Sequence, residues 1–192
     1  MVSKQKKALA YVIGIALGDG NLSNPNGRAV RLRITCDAKY PLLAEEIISN
    51  LQLVFPTNKI GIVRPTKKNT FFNISLYSNT LLRLMPWQAG RGSKFSQNAH
   101  IPLWIRKDKM LSKVCLKGLL QTDGSIYRDR GYLMVNFTNH THILAKEVEK
   151  MIIELGFKPT ISVTQVKSGP KYTVRVAKNV PALISRLDLY KT

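Results

Sequence analysis

The chain has 192 residues, enough for one domain with a real core or for two small fused halves. Thirty Lys and Arg stand against 11 Asp and Glu, a formal +19, while the hydrophobic content is an ordinary 44%. That charge makes nucleic acid the expected partner and argues against a membrane, which would need a basic amphipathic helix or a long apolar run that the chain lacks.

In chain order, Lys4, Lys6 and Lys7 followed by apolar residues 8–17 imitate a secretory leader. A second, internal copy of the stretch argues against that reading, so a helix is predicted over residues 7–17. A strand pair is predicted next, near Asn21 and over residues 30–36. An amphipathic helix is predicted over 41–54, with Leu42, Leu43, Ile47, Leu51 and Val54 on its apolar face. Strands at 59–64 and 70–77 come next, then a short helix capped by Asn79 and ending near Met85. Residues 90–108, with Gly90, Gly92, Ser93 and Pro102, read as a connection. The same order then returns: helix 111–121, strands near 125 and over 132–138, helix 141–155, strands 160–166 and 171–177, and helix 180–189. Thr141 and Asn179 are the expected caps. The boundaries drawn from this are a first repeat at 1–98, a linker at 99–110 and a second repeat at 111–192.

The repeat is sharpest in one motif. Val12-Ile13-Gly14-Ile15-Ala16-Leu17-Gly18-Asp19-Gly20 returns as Leu116-Lys117-Gly118-Leu119-Leu120-Gln121-Thr122-Asp123-Gly124, the aspartates being 104 residues apart. A lone Asp-Gly is turn chemistry, in which Asp ends the helix and Gly supplies a positive φ. Two at matching places in a chain poor in acid point instead to a paired site. Gly14 and Gly18, like Gly118 and Thr122, share a helix face and would let two helices approach backbone to backbone. Asp19 and Asp123 would then meet at one end, where a divalent cation relieves their repulsion. The charge is shared evenly, +10 before Arg106 and +9 from it onward, so both halves should face one polyanion.

These paired motifs resemble the signature of LAGLIDADG homing endonucleases in their two-repeat, monomeric form (meganucleases), and the resemblance covers nearly the whole chain. It implies an α+β fold of two pseudo-symmetric αββαββα repeats, with two antiparallel sheets forming a saddle around a central pair of motif helices. It also implies Mg²⁺-dependent cleavage of both strands of a long DNA site, leaving 3′ overhangs, as in intron homing. Mn²⁺ would substitute, and Ca²⁺ would bind without supporting cleavage. On the same resemblance, Asp19 and Asp123 are the metal-binding catalytic acids and the carbonyls of Gly18 and Thr122 are secondary ligands. Lys94 and Lys191 are the lysines near the scissile phosphates, and Asn139 orients water. Cys36 stands where Asn139's counterpart belongs, and Thr122 replaces the usual Ala or Gly. Strand parity marks Asn21, Ser23, Arg31, Arg33, Thr35, Asn73, Ser75, Tyr77, Ser125, Tyr127, Asn136, Thr138, Lys171, Thr173 and Arg175 as DNA-facing. The alternative is a catalytically silent binder on the same scaffold, an RNA maturase or a DNA-binding regulator. Retention of both aspartates favours the enzyme.

Other signals carry less. His140-Thr141-His142 lacks acidic or cysteine partners at zinc spacing, and Asp37-Ala38-Lys39 imitates another nuclease pattern but leaves the repeat unexplained. There is no phosphate-binding glycine loop, so no nucleotide cofactor is expected. Trp87 and Trp104 read as core. Cys36 and Cys115 read as reduced, buried residues of an intracellular, unsecreted protein.

Overall fold

The computed structural model describes residues 2–25, 27–64 and 70–190. Two four-stranded antiparallel sheets flank a central pair of helices, an α+β architecture. The first half holds α1 (Lys4–Asp19), β1 (Gly20–Ser23), β2 (Arg31–Asp37), α2 (Pro41–Val54), β3 (Gly61–Val63), β4 (Phe71–Tyr77) and α3 (Leu81–Leu84). After a short α4 (Leu103–Arg106) come α5 (Lys109–Thr122), β5 (Gly124–Asp129), β6 (Tyr132–Asn139), α6 (His142–Glu154), β7 (Thr160–Val166), β8 (Gly169–Val176) and α7 (Val180–Leu187). The sheet orders, β1-β2-β4-β3 and β5-β6-β8-β7, are the same in both halves.

Helix α1 is buried nearly all round, from Ala10 to Leu17 without a break. A helix apolar on every side belongs in the centre of a fold, and its neighbour there is α5. The contact is backbone to backbone. A Cβ on Gly118 would lie 2.8 Å from the Tyr11 carbonyl oxygen and 2.9 Å from the Ile15 nitrogen, and one on Gly14 would strike the Cys115 carbonyl. Both cysteines are free and buried in this core, as is Trp87, whereas Trp104 is only partly buried, with the Lys6 ammonium 5.6 Å from its ring centre.

Several local expectations need correction. Neither Asp-Gly glycine takes the positive φ of a lone turn, the reading that the pairing argues against: Gly20 has φ −81°, and Gly124 has no positive φ. They are glycines because a strand leaves the helix at once, and a Cβ would come within 2.6 Å of Ala16 Cα or 2.8 Å of the Leu120 carbonyl carbon. Helix α1 starts at Lys4, with the Ser3 hydroxyl accepting from the Lys6 amide. Helix α5 starts at Lys109, where Asp108 accepts from the amides of Met110 and Leu111. Asn79 does not cap α3; Thr80 holds that place, and Asn79 ties down the β1–β2 loop through Val30 N and Arg28 O. Thr141 and Asn179 occupy N-cap positions without side-chain cap bonds. Among the described residues, no helix is long and apolar enough to cross a membrane.

A polar cluster joins the halves. Glu46 of α2 accepts from Lys117 (2.7 Å) and Gln121 (2.9 Å) of α5 and from the Tyr190 hydroxyl (2.8 Å). Tyr11 of α1 donates to Gln121 (2.8 Å), and Lys117 also reaches Asp188 at 3.0 Å. The residue at Glu46's place in the second half, Glu147, is bound differently, by the Ile101 amide (2.8 Å) and Arg106 (3.3 Å).

Candidate functional site

Because α1 and α5 run side by side and both end in Asp-Gly, Asp19 and Asp123 come to neighbouring helix ends. A Cβ on Gly18 would collide with the Thr122 side chain and stand 3.5 Å from the Asp123 carboxyl carbon. Thr122 thus fills the room that Gly18 leaves, while its hydroxyl bonds back to the carbonyls of Gly118 and Leu119. Asp19 is exposed and Asp123 half-buried.

Lys94 reaches this point from the connection between the halves. Its ammonium donates to the carbonyls of Ala16 (3.1 Å), Leu17 (2.7 Å) and Gly18, closing the end of α1. Burial pulls its pKa down, and the charges of Asp123 and Asp19 oppose that pull. Lys191 lies outside the described residues.

Each aspartate opens onto a cavity. One of ≈ 300 Å³ is lined by Asp123, Thr138, Asn139, His140, Thr141 and Leu144, with Leu17, Ser93, Lys94, Phe95 and Ala99. The other, ≈ 290 Å³, is lined by Asp19, Thr35, Cys36, Asp37, Tyr40 and Leu43, with Ile34, Ile47, Gln121 and Thr122. In the first, the Asn139 amide donates to Asp123 Oδ2 at 2.6 Å, and its own oxygen accepts from the Thr141 amide at 2.8 Å. In the second, Cys36 holds the corresponding strand end; burial first, then the Asp19 charge, pushes its thiol up to about 12. His140 rests on the Pro170 carbonyl and His142 against the Tyr172 ring.

The fifteen strand residues marked by parity all lie on the sheet faces turned from the core, and none is buried. Strand β2 alternates Leu32, Ile34 and Cys36 inward with Arg31, Arg33 and Thr35 outward. Cross-strand register aligns Asn21, Arg33 and Ser75 in one row, and Ser125, Asn136 and Arg175 in its counterpart. Neighbours on these faces are linked: Thr35 to Asn73 (3.0 Å), Arg31 to Ser23 (3.2 Å), Asn136 to Tyr127 (2.9 Å) and Arg175 to Asn136 (3.2 Å). Thr160, Ser162 and Thr164 of β7, which strand parity did not mark, pair with Arg175, Thr173 and Lys171 and share their face of the sheet. The alternation of hydroxyl with other residues in that strand was the available signal.

Comparison with known proteins agrees with this arrangement. The family model described as a LAGLIDADG-like domain matches residues 112–187. The whole chain has the fold of the homing endonuclease I-DmoI. It superposes on mesophilic variants of that protein with a TM-score of 0.71 at 18% identity, covering 99% of this chain and 100% of that one. Against I-DmoI in complex with DNA and Ca the TM-score is 0.68 at 19% identity, over 95% and 88% of the two chains. Another I-DmoI structure is a complex with DNA and Mn, and a further one is a variant in complex with its target DNA in the presence of Mg. Full-length DUF199/WhiA from Thermatoga maritima shares the fold at a TM-score of 0.68 and 9% identity, over 100% of this chain and 58% of that one. No curated protein matches the chain by sequence.

Proposed function

We propose that this chain, whose residues 112–187 are a LAGLIDADG-like domain, is a monomeric, intracellular, site-specific endonuclease that cuts both strands of a long DNA target and leaves 3′ overhangs. The observation that carries this reading is the meeting of Asp19 and Asp123 at the ends of two helices in backbone contact, beneath two polar sheet faces on a +19 chain.

A divalent cation suits this donor set. The ammonium of Lys94 already sits among the carbonyls of Ala16, Leu17 and Gly18 with both carboxylates favouring its charge, so the site is one that draws a cation. Asp19, Asp123 and the carbonyls of Gly18 and Thr122 would hold Mg²⁺. When bound, such an ion activates water and stabilises the leaving oxygen of a phosphodiester. The rest of the work falls to the chain. Arg31, Arg33, Lys171 and Arg175 would neutralise phosphates, and the Asn, Ser, Thr and Tyr side chains of the same faces would meet base edges. Asn139 would hold a water beside Asp123, and Lys94 would add positive charge where the phosphate must come.

The second reading is a catalytically silent nucleic-acid-binding protein on the same scaffold, an RNA maturase or a DNA-binding regulator, which the same polar sheet faces on a +19 chain would serve. Selection from a plasmid library carrying the gene's own flanking sequence and randomised sites separates the two. The nuclease gives linear product with Mg²⁺ and none with Ca²⁺. Asp19→Asn or Asp123→Asn lowers that cleavage at least about a hundredfold, the scale of losing one preorganised charged group, and leaves DNA binding in place. Tight binding without cutting under Mg²⁺ or Mn²⁺ moves the assignment to the second reading.

A further inference from the structure

Six lysines gather far from the aspartates. Gly14 packs on Cys115 and Gly18 on Thr122, so α1 and α5 run parallel, and both start at the end of the helix pair opposite Asp19 and Asp123. Lys4, Lys6 and Lys7 lie in the first turn of α1, and Lys107, Lys109 and Lys113 around the start of α5. The two groups meet at α4, where the Lys6 ammonium stands 5.6 Å from the Trp104 ring centre. Lys4, Lys6, Lys107 and Lys109 are exposed, and Lys7 and Lys113 half-buried. We propose that this surface binds the phosphates of a second DNA duplex, so that the chain bridges two segments and passes directly from one to the other. This rests on the sheet faces binding DNA and not on cutting.

The lysines are placed against their own helices. A helix start carries partial positive charge and favours acids, yet the first turns of α1 and α5 hold none. Among the described residues none of the six makes an ion pair. The nearby acids are engaged elsewhere: Asp108 accepts from the amides of Met110 and Leu111, Glu147 meets Arg106, and Glu154 lies 3.9 Å from Lys150. Mutual repulsion and the helix ends thus both disfavour the cluster in the free protein, and a polyanion relieves both at once. A duplex lying over the aspartates is too far away to do so. At about 1.5 Å per residue, Lys4 and Lys109 stand about 20 Å from Asp19 and Asp123, more than two screening lengths of about 8 Å at physiological salt. Duplex DNA is the polyanion that fits. The cluster is all lysine, which meets phosphate as a point charge and reads no base. A protein held on one stretch of a long duplex also has its other stretches at high local concentration. Leu103 and Met110 are exposed beside the lysines, but α4 is a single turn and makes no amphipathic helix to lie on a membrane.

The experiment measures release of a fluorescein-labelled duplex, in Ca²⁺ and physiological salt, as unlabelled duplex is added in rising amounts. Simple dissociation has a rate independent of competitor, whereas transfer through a second site speeds up with it. For wild type the release rate should rise at least about threefold over a hundredfold range of competitor, the second duplex being captured before the first departs. The variant carrying Lys4→Gln, Lys7→Gln, Lys107→Gln and Lys109→Gln should release at one rate throughout, and should hold the first duplex within about threefold of wild type because screening separates the two surfaces. Without DNA it should melt no lower than wild type, since it sheds repulsion. A wild-type rate indifferent to competitor overturns the inference, as does a variant whose rate still rises. A variant that melts lower than wild type does so too, by giving these lysines to the fold. Single-stranded RNA or vesicles of anionic lipid that speed release more than duplex does, from wild type and not from the variant, would hand the surface to that other partner. No binding of the labelled duplex by wild type removes the DNA reading of the sheet faces, and this inference with it.

Discussion

Lys94 serves the end of α1 in the way a bound cation would. Helix ends leave their last carbonyls without intrahelical partners, and here one ammonium takes those of Leu17 and Gly18 together with that of Ala16, which also accepts from the Gly20 amide. One of them, Gly18, is also a proposed ligand of the divalent ion, so ion and lysine compete for one oxygen. Lys94→Met should therefore melt at lower temperature in EDTA, losing about 1–3 kcal/mol as buried carbonyls go unsatisfied. The same variant should recover more stability on adding Ca²⁺ than wild type does, with severalfold tighter apparent affinity. Melting curves against Ca²⁺ concentration measure both; identical Ca²⁺ dependence in the two proteins would mean that lysine and ion do not share the carbonyl.

Between elements, the decisive contact is α1 on α5. Replacing a mid-helix glycine by alanine ordinarily stabilises a helix by about 1 kcal/mol. At Gly118 the added methyl would meet the backbone of Tyr11 and Ile15 at 2.8 and 2.9 Å, and backbone cannot rotate away. Gly118→Ala is expected to destabilise by about 1–3 kcal/mol, the usual cost of overpacking. Urea midpoints give the sign, and a variant as stable as wild type would show that the helices part freely. This contact was legible in the four-residue spacing of small residues, just as the outward faces were legible in strand alternation. Both are period signals carried by neighbours in sequence. The seat of Lys94 was not: its position follows from how the connection crosses α1, 76 residues away. Nor was α4, a single turn without a periodic pattern, whereas the cap at Asp108 stood in plain view before Met110 and Leu111. The Asp-Gly glycines are fixed by crowding from the preceding turn and not by the left-handed backbone that a lone Asp-Gly turn would need.

For the molecule as a whole, charge divided evenly between two equivalent halves predicts one continuous polyanion contact rather than a basic tail. Four cations stand among the fifteen outward residues, Arg31, Arg33, Lys171 and Arg175. At about 0.9 per neutralised phosphate, the plot of log affinity against log salt should fall with a slope of about −3.6 or steeper. Arg33→Ala combined with Arg175→Ala should flatten it by about 2. Fluorescence anisotropy on duplex DNA across a salt series tests this, and an unchanged slope in the double variant would place the contact elsewhere. The cluster around Glu46 bears on how such a two-part chain can arise and persist. Lys117 and Gln121 answer Glu46 from α5, but the matching places on α1 are Ile13 and Leu17. Two copies of the first half pairing with each other would set aliphatic side chains where Lys117 and Gln121 now meet Glu46, leaving the carboxylate the Tyr11 hydroxyl of its own half but no ammonium, a costly burial. The first half is therefore matched to the second and set against pairing with a second copy of itself.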